Sequence, residues 1–301
     1  MFEGVYPAII TPFTRGNRPA TDDRSDLDLE GLRENVTWLV EQGVHGIVPC
    51  GSTGESATMS HKEHEKVIEE TVDVVNGKIP VLAGTGSNNT EEAVLLTKAA
   101  KNLGADGVLV ISPYYNKPNR SGLVKHYTKI ANLDIPVVMY NVPGRTGQDI
   151  NSFDPPLVPE LARHPNIVGI KEASGKLDRI AQIIEATRDE NFSVISGDDN
   201  LTLPILELGG VGVISVAANV VPKLMVELYE AFKKGNLAHA REVNANLGPL
   251  LNDLMKLDTN PIPVKMAVGL RGMAAGPVRL PLDDLDAEKT EVLKKTLTRY
   301  R

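Results

Sequence analysis

The sequence predicts an α/β fold, a closed (β/α)8 TIM barrel carrying a C-terminal helical extension. Short apolar runs rich in Val and Ile recur along the chain, each followed by an amphipathic stretch, at a beat of roughly thirty residues. Eight such runs fit before residue 216. Within each run apolar character is nearly continuous rather than alternating, as expected of parallel strands covered on both faces.

The eight predicted strands span residues 6–10, 46–50, 81–84, 107–111, 137–140, 167–171, 193–196 and 212–215. Between them lie helix-start signals. Ser60-His-Lys-Glu63 is a capping box, and Thr90-Glu-Glu places acids at the positive end of the next helix dipole. The phrases Gly43-Val-His-Gly-Ile-Val48, Gly104-Ala-Asp-Gly-Val-Leu109 and Gly209-Gly-Val-Gly-Val-Ile214 share one form, in which glycine ends a helix and a strand follows. Eight βα units match the typical barrel size of about 250 residues. The rival, an open doubly wound sheet, is disfavoured because no G-x-G-x-x-G follows the first strand and no P-loop occurs. Residues 223–234 read as the helix that closes the barrel. The expected division is therefore a catalytic barrel over 1–234 and a wholly helical region over 235–301. Residues 14–28, rich in Arg, Asp and Pro, read as an irregular polar loop.

Composition narrows the function. The chain has 301 residues, 24% charged, with a net charge of −7. Its 32 Lys and Arg are scattered among 39 Asp and Glu, so it offers no basic face for nucleic acid or an anionic membrane. No apolar run approaches the roughly 18–20 residues of a membrane span. The first residues, Met-Phe-Glu-Gly-Val-Tyr-Pro, lack the pattern of a signal peptide. One cysteine, Cys50, fits a reducing compartment. The expectation is a cytoplasmic enzyme or binding protein.

In such a barrel, reacting groups gather at the C-terminal strand ends. The sixth run ends in Lys171. Desolvation at the barrel mouth favours a neutral amine able to attack a ketone, although a lone lysine there can equally reach solvent or pair with an acid. The fifth run ends in Tyr140, whose phenol suits proton transfer, or else is simply a satisfied core tyrosine. The second enters Gly51-Ser-Thr-Gly-Glu55, where Ser52 and Thr53 can hold a carboxylate or merely cap a helix. Jointly they supply what imine catalysis needs: a nucleophilic amine, a proton relay and a grip on a keto acid's carboxylate.

These residues carry a family resemblance. Tyr6-Pro-Ala-Ile-Ile-Thr-Pro-Phe13, Gly51–Glu55, Pro113-Tyr-Tyr-Asn116, Tyr140-Asn-Val-Pro143, Gly169-Ile-Lys-Glu172, Ser196-Gly-Asp-Asp199 and Gly212-Val-Ile-Ser-Val216 occur in order with fitting spacing. The chain resembles, end to end, the dihydrodipicolinate synthase and N-acetylneuraminate lyase family. The resemblance implies that Lys171 forms a Schiff base with pyruvate and that Tyr140 donates and accepts protons. Ser52 and Tyr115 complete the relay, Tyr115 being supplied by a neighbouring subunit. Thr53 binds the pyruvate carboxylate, and the backbone at Gly197 and Ile214 lines the pocket. Ser52 replaces the threonine commoner in the synthases and so resembles the lyase branch, but it keeps the hydroxyl.

Arg145, in Asn141-Val-Pro-Gly-Arg-Thr146, is where the synthases place the arginine that grips the carboxylate of aspartate semialdehyde. Thr259-Asn-Pro-Ile-Pro-Val-Lys265 and Arg279-Leu-Pro-Leu282 also resemble the synthases. The implied reaction is condensation of pyruvate with aspartate semialdehyde in the diaminopimelate–lysine pathway. Alternatives are a 2-keto-3-deoxy sugar-acid aldolase or sialic acid lyase, or a non-catalytic binding relative. Ser56, Ala57, His61, His64, Asn88, Glu92 and Tyr114 match the type of residue that lines a lysine effector cleft in inhibited synthases; dimer packing alone is the other reading. His61 and His64 have no partners at metal-ligand spacing. The expectation is therefore no metal and no cofactor, and the resemblance implies a homotetramer built as a dimer of dimers.

Overall fold

The computed structural model describes residues 2–15 and 25–300. Nine strands appear in it: β1 (Gly4–Pro7), β2 (Phe13–Thr14), β3 (Asp26–Leu27), β4 (Leu82–Gly84), β5 (Gly107–Ile111), β6 (Val137–Asn141), β7 (Ile167–Glu172), β8 (Ser193–Ser196) and β9 (Gly212–Ser215). Seven form one parallel sheet in the order β1-β9-β8-β7-β6-β5-β4.

The second predicted strand, 46–50, is not a strand but two residues of bridging chain. Ala8 pairs with Val48 and Ile47 with Val81, both parallel, which closes the ring between β1 and β4. Pro49 has no N–H to extend that ladder, and Cys50 turns into the left-handed region at φ 57°. Extended pairing therefore stops as soon as the barrel is shut. The first strand sits slightly earlier than expected, at Gly4–Pro7 rather than 6–10.

Side chains alternate across the wall. Val138 and Tyr140 of β6, Leu109 of β5 and Ile195 of β8 fill the barrel interior with Tyr6 and Phe2. Val137, Met139 and Ile170 face the surrounding helices. Fully burying each such side chain contributes about 1.5–3 kcal/mol.

The Ser60 capping box forms as expected at the start of helix His61–Val75. Helix Thr90–Asn102 is capped one residue earlier than its acids suggested, by the Asn89 side chain accepting from Glu91 N–H. Pro222 opens the helix Pro222–Lys233, where its missing N–H costs nothing. Beyond it lie helices Leu237–Lys256, Ile262–Leu270 and Ala287–Leu297. The region is not wholly helical: residues 273–286 are irregular, with two prolines, Pro277 and Pro281, and glycine turns at Gly272 and Gly276. Leu247, Leu250 and Leu254 share a core with Val5 and Val213 of the barrel wall. The ends of the predicted loop 14–28 pair as the two-residue antiparallel ladder β2–β3; its residues 16–24 lie outside the described residues. Among the described residues no helix is long and apolar enough to cross a membrane.

Candidate active site

Tyr140 and Lys171 are register partners on β6 and β7, so the strand pairing itself puts phenol and amine side by side inside the barrel mouth. Lys171 is 6% exposed, and its Nζ stands 4.3 Å from the centroid of the Tyr140 ring. Burial pulls the amine down to about 7; the buried Asp199 carboxylate opposes that shift and the Arg145 guanidinium adds to it. Burial also pushes the Tyr140 phenol up to about 12, against Arg145 and a hydrogen bond with Ser52. The pair is thus an amine with a substantial neutral fraction near neutral pH beside a protonated phenol, the states that attack and proton transfer require.

Gly197 explains how the lysine reaches this position. A Cβ there would lie 3.1 Å from Lys171 Cγ and Cε and 2.8 Å from Ala173 Cβ, so only glycine leaves room for the stem. Ile214 lies buried in the barrel interior.

Ser52 and Thr53 sit on a tight turn, where Gly54 N–H donates to the Gly51 carbonyl at 3.1 Å. Thr53 is buried, and its hydroxyl accepts from Asn260 Nδ2 at 3.0 Å. Arg145 stands exposed on the short helix Pro143–Thr146 and donates from Nη2 to the Asn260 carbonyl at 2.7 Å. Asn260 therefore ties together the two groups expected to hold carboxylates. Sequence reading assigned it no role, because the contact crosses more than two hundred residues.

A cavity of about 480 Å³ is lined by Ser52, Tyr140 and Arg145 together with Asn260. The same cavity reaches Ser56, Ala57, His61, His64, Glu92 and Tyr114, so six of the seven expected effector residues share it. Glu92 accepts from His61 Nε2 at 2.8 Å and from the Ser87 hydroxyl; these bonds, the second foremost, hold its carboxyl below the usual range. Asn88 does not line the cavity; its carbonyl accepts from Asn116 Nδ2. Tyr115 is not brought to Ser52 and Tyr140 within one chain. It stands 89% exposed on a residue with φ 72°, a left-handed strain for a bulky side chain.

Two buried acids beside the reacting pair, Asp199 and Glu172, have no role assigned from the sequence. Asp199 accepts from Val216 and Ala217 N–H, each at 2.9 Å, and faces Lys171 electrostatically. Glu172 points away from the barrel mouth and accepts from Asn141, Asn151 and Ser174. Asn141 and Glu172 are themselves register partners, one step beyond Tyr140 and Lys171, so their bonds pin the two strand tips that carry the reacting pair.

The model of the dihydrodipicolinate synthetase family matches residues 1–300. The chain belongs to this family. Within it, the chain is 66% identical over 300 residues to the 4-hydroxy-tetrahydrodipicolinate synthase of Methanoculleus marisnigri, covering all of both chains. Two solved family structures superpose closely. Dihydrodipicolinate synthase from Cyanidioschyzon merolae with lysine bound gives a TM-score of 0.92 at 39% identity, over 99% of this chain and 98% of that one. The chloride-inhibited enzyme from Acinetobacter baumannii complexed with pyruvate gives 0.91 at 40% identity, over 99% of each. The family's fold is the expected TIM barrel with its C-terminal helical extension.

Proposed function

We propose that this chain is a lyase that condenses pyruvate with L-aspartate 4-semialdehyde to 4-hydroxy-tetrahydrodipicolinate, the entry step of lysine synthesis through diaminopimelate. The observation that carries this reading is the buried Lys171 amine at 4.3 Å from Tyr140. The names of relatives 53–66% identical to it support the choice of substrates, and so does Arg145, whose fork suits a second carboxylate at the cavity.

Neutral Lys171 adds to C2 of pyruvate, whose carboxylate is held by Thr53. Tyr140, linked to Ser52, passes a proton to the departing hydroxyl, and water leaves as the imine forms. Loss of a methyl proton gives the enamine, whose carbon attacks the aldehyde carbon of the semialdehyde while Arg145 holds that substrate's carboxylate. The amino group of the semialdehyde then displaces Lys171 and closes the ring, with one water released overall. The covalent imine replaces any metal or organic cofactor in this scheme. Gly197 and Ile214 shape the wall around the lysine. We further assign Tyr115 to the relay of a neighbouring subunit in a homotetramer, the cleft around His61 and Glu92 to a lysine effector, and the protein to the cytoplasm.

The test pairs two assays. Borohydride with pyruvate should leave an adduct on Lys171, and turnover should occur with aspartate semialdehyde but not with glyceraldehyde. Turnover with glyceraldehyde alone would transfer the chain to the sugar-acid branch.

A further inference from the structure

The turn that carries Ser52 and Thr53 ends in Glu55, a non-glycine residue in the left-handed region at φ 55°. Its side chain is 1% exposed and meets Lys265, 2% exposed, at 2.5 Å. Glu55 Oε2 also accepts from Arg279 N–H at 2.8 Å. The Phe13 ring meets two cations, with Lys265 Nζ 4.0 Å and the Arg279 guanidinium carbon 4.1 Å from its centroid. Burial draws the Lys265 amine down to about 8, opposed by Glu55.

Taking both charges out of water is expensive, and apolar side chains of similar volume commonly fill such a space at no loss of stability. The pair's location gives it a use. Lys265 lies on helix Ile262–Leu270, which begins two residues after Asn260, and Asn260 holds the Thr53 hydroxyl and the Arg145 guanidinium. The turn is thus tied to the C-terminal region at both Thr53 and Glu55.

We propose that the Glu55–Lys265 ion pair is a positioning device, which locks the C-terminal segment 260–265 onto the Ser52–Thr53 turn and so sets the spacing of the two carboxylate-binding groups, Thr53 and Arg145. Glu55 borders the cavity, but its carboxylate is turned onto Lys265 and the Arg279 N–H, so in this proposal the pair acts through Thr53 and Asn260 rather than on substrate. The inference rests on the reading of Thr53 and Arg145 as carboxylate holders. Loosening the lock affects capture of both substrates more than the chemistry at Lys171, which hangs from separate strands.

The test uses Lys265→Met and the double variant Glu55→Gln/Lys265→Met, which strands no buried charge. Wild-type protein trapped with borohydride and pyruvate serves first as the control: absence of an adduct there defeats the reading of the site, independently of this inference. Given that adduct, KM for pyruvate should rise at least ~10-fold and KM for the semialdehyde severalfold, with kcat within ~3-fold of wild type. Should Lys265→Met fail to fold, the double variant carries the same expectation. A folded variant with unchanged KM values, or one losing kcat at constant KM, overturns the proposal.

Discussion

Lys171 Nζ lies over the face of the Tyr140 ring, 4.3 Å from its centroid, rather than on an acid. A ring face stabilises a cation far less than a carboxylate does, so the amine keeps the low proton affinity that burial imposes. Tyr140 can therefore serve the lysine twice, as a wall that excludes water and as a neighbour that moves protons.

The pH dependence of capture follows. With the amine at about 7, its neutral fraction grows as pH rises, so kcat/KM for pyruvate should climb through that value and level above it. Asp199 raises the amine's affinity for a proton, and Asp199→Asn should move the acid limb to lower pH. Arg145 lowers it, and Arg145→Gln should move the limb to higher pH while raising KM for the semialdehyde. Steady-state pH profiles check both directions, and shifts of the same sign would refute the assignment.

The same burial costs stability. Lys171 has an ordinary value of 10.5 when unfolded and about 7 when folded, so the unfolded chain binds the proton more tightly. The cost is complete below about 7, shrinks as pH rises and is gone above 10.5. Lys171→Met should therefore stabilise the protein by on the order of a few kcal/mol near neutrality, with the gain fading towards pH 10.5. Thermal melts of both proteins between pH 6 and 10 measure it.

Tyr115→Phe should depress turnover about 10-fold or more while leaving the fold intact. Inactive Lys171→Ala chains mixed with Tyr115→Phe chains should regain activity. A mixed dimer then pairs an intact Lys171 with the intact Tyr115 of the other chain. No recovery after subunit exchange would place the tyrosine's work within its own chain.

Millimolar lysine should bind with measurable heat and slow the reaction. Glu92→Gln, which removes the carboxylate that faces His61 and Ser87, should weaken binding about 10-fold or more. Heat of binding without inhibition would show a ligand site uncoupled from catalysis.

Much of this architecture was legible in the chain. Seven of the eight apolar runs are strands, because a strand buried on both faces leaves a continuous apolar signature. The run 46–50 has the same composition but stops at a proline and a left-handed Cys50, local backbone facts that apolar patterning does not register. Tyr140 and Lys171 were readable because each terminates its own strand. Asn260, Glu55 and Lys265 act through contacts that span 207 and 210 residues, and nothing in local pattern marks such partners. Glu172 and Asn141 stayed hidden for another reason: each directly follows a reacting residue but faces the opposite side of the wall.

β1 pairs with β9, Gly4 against Gly212. As the chain is synthesised, its first strand waits for its last, and the parallel ladder between them cannot be completed until the polypeptide has grown past residue 215. Thr53 waits longer still, for Asn260. The nascent chain thus carries Lys171 and Tyr140 on neighbouring strands well before it can hold a substrate carboxylate, and a stalled fragment ending short of residue 260 would own the nucleophile without the means to orient what it attacks.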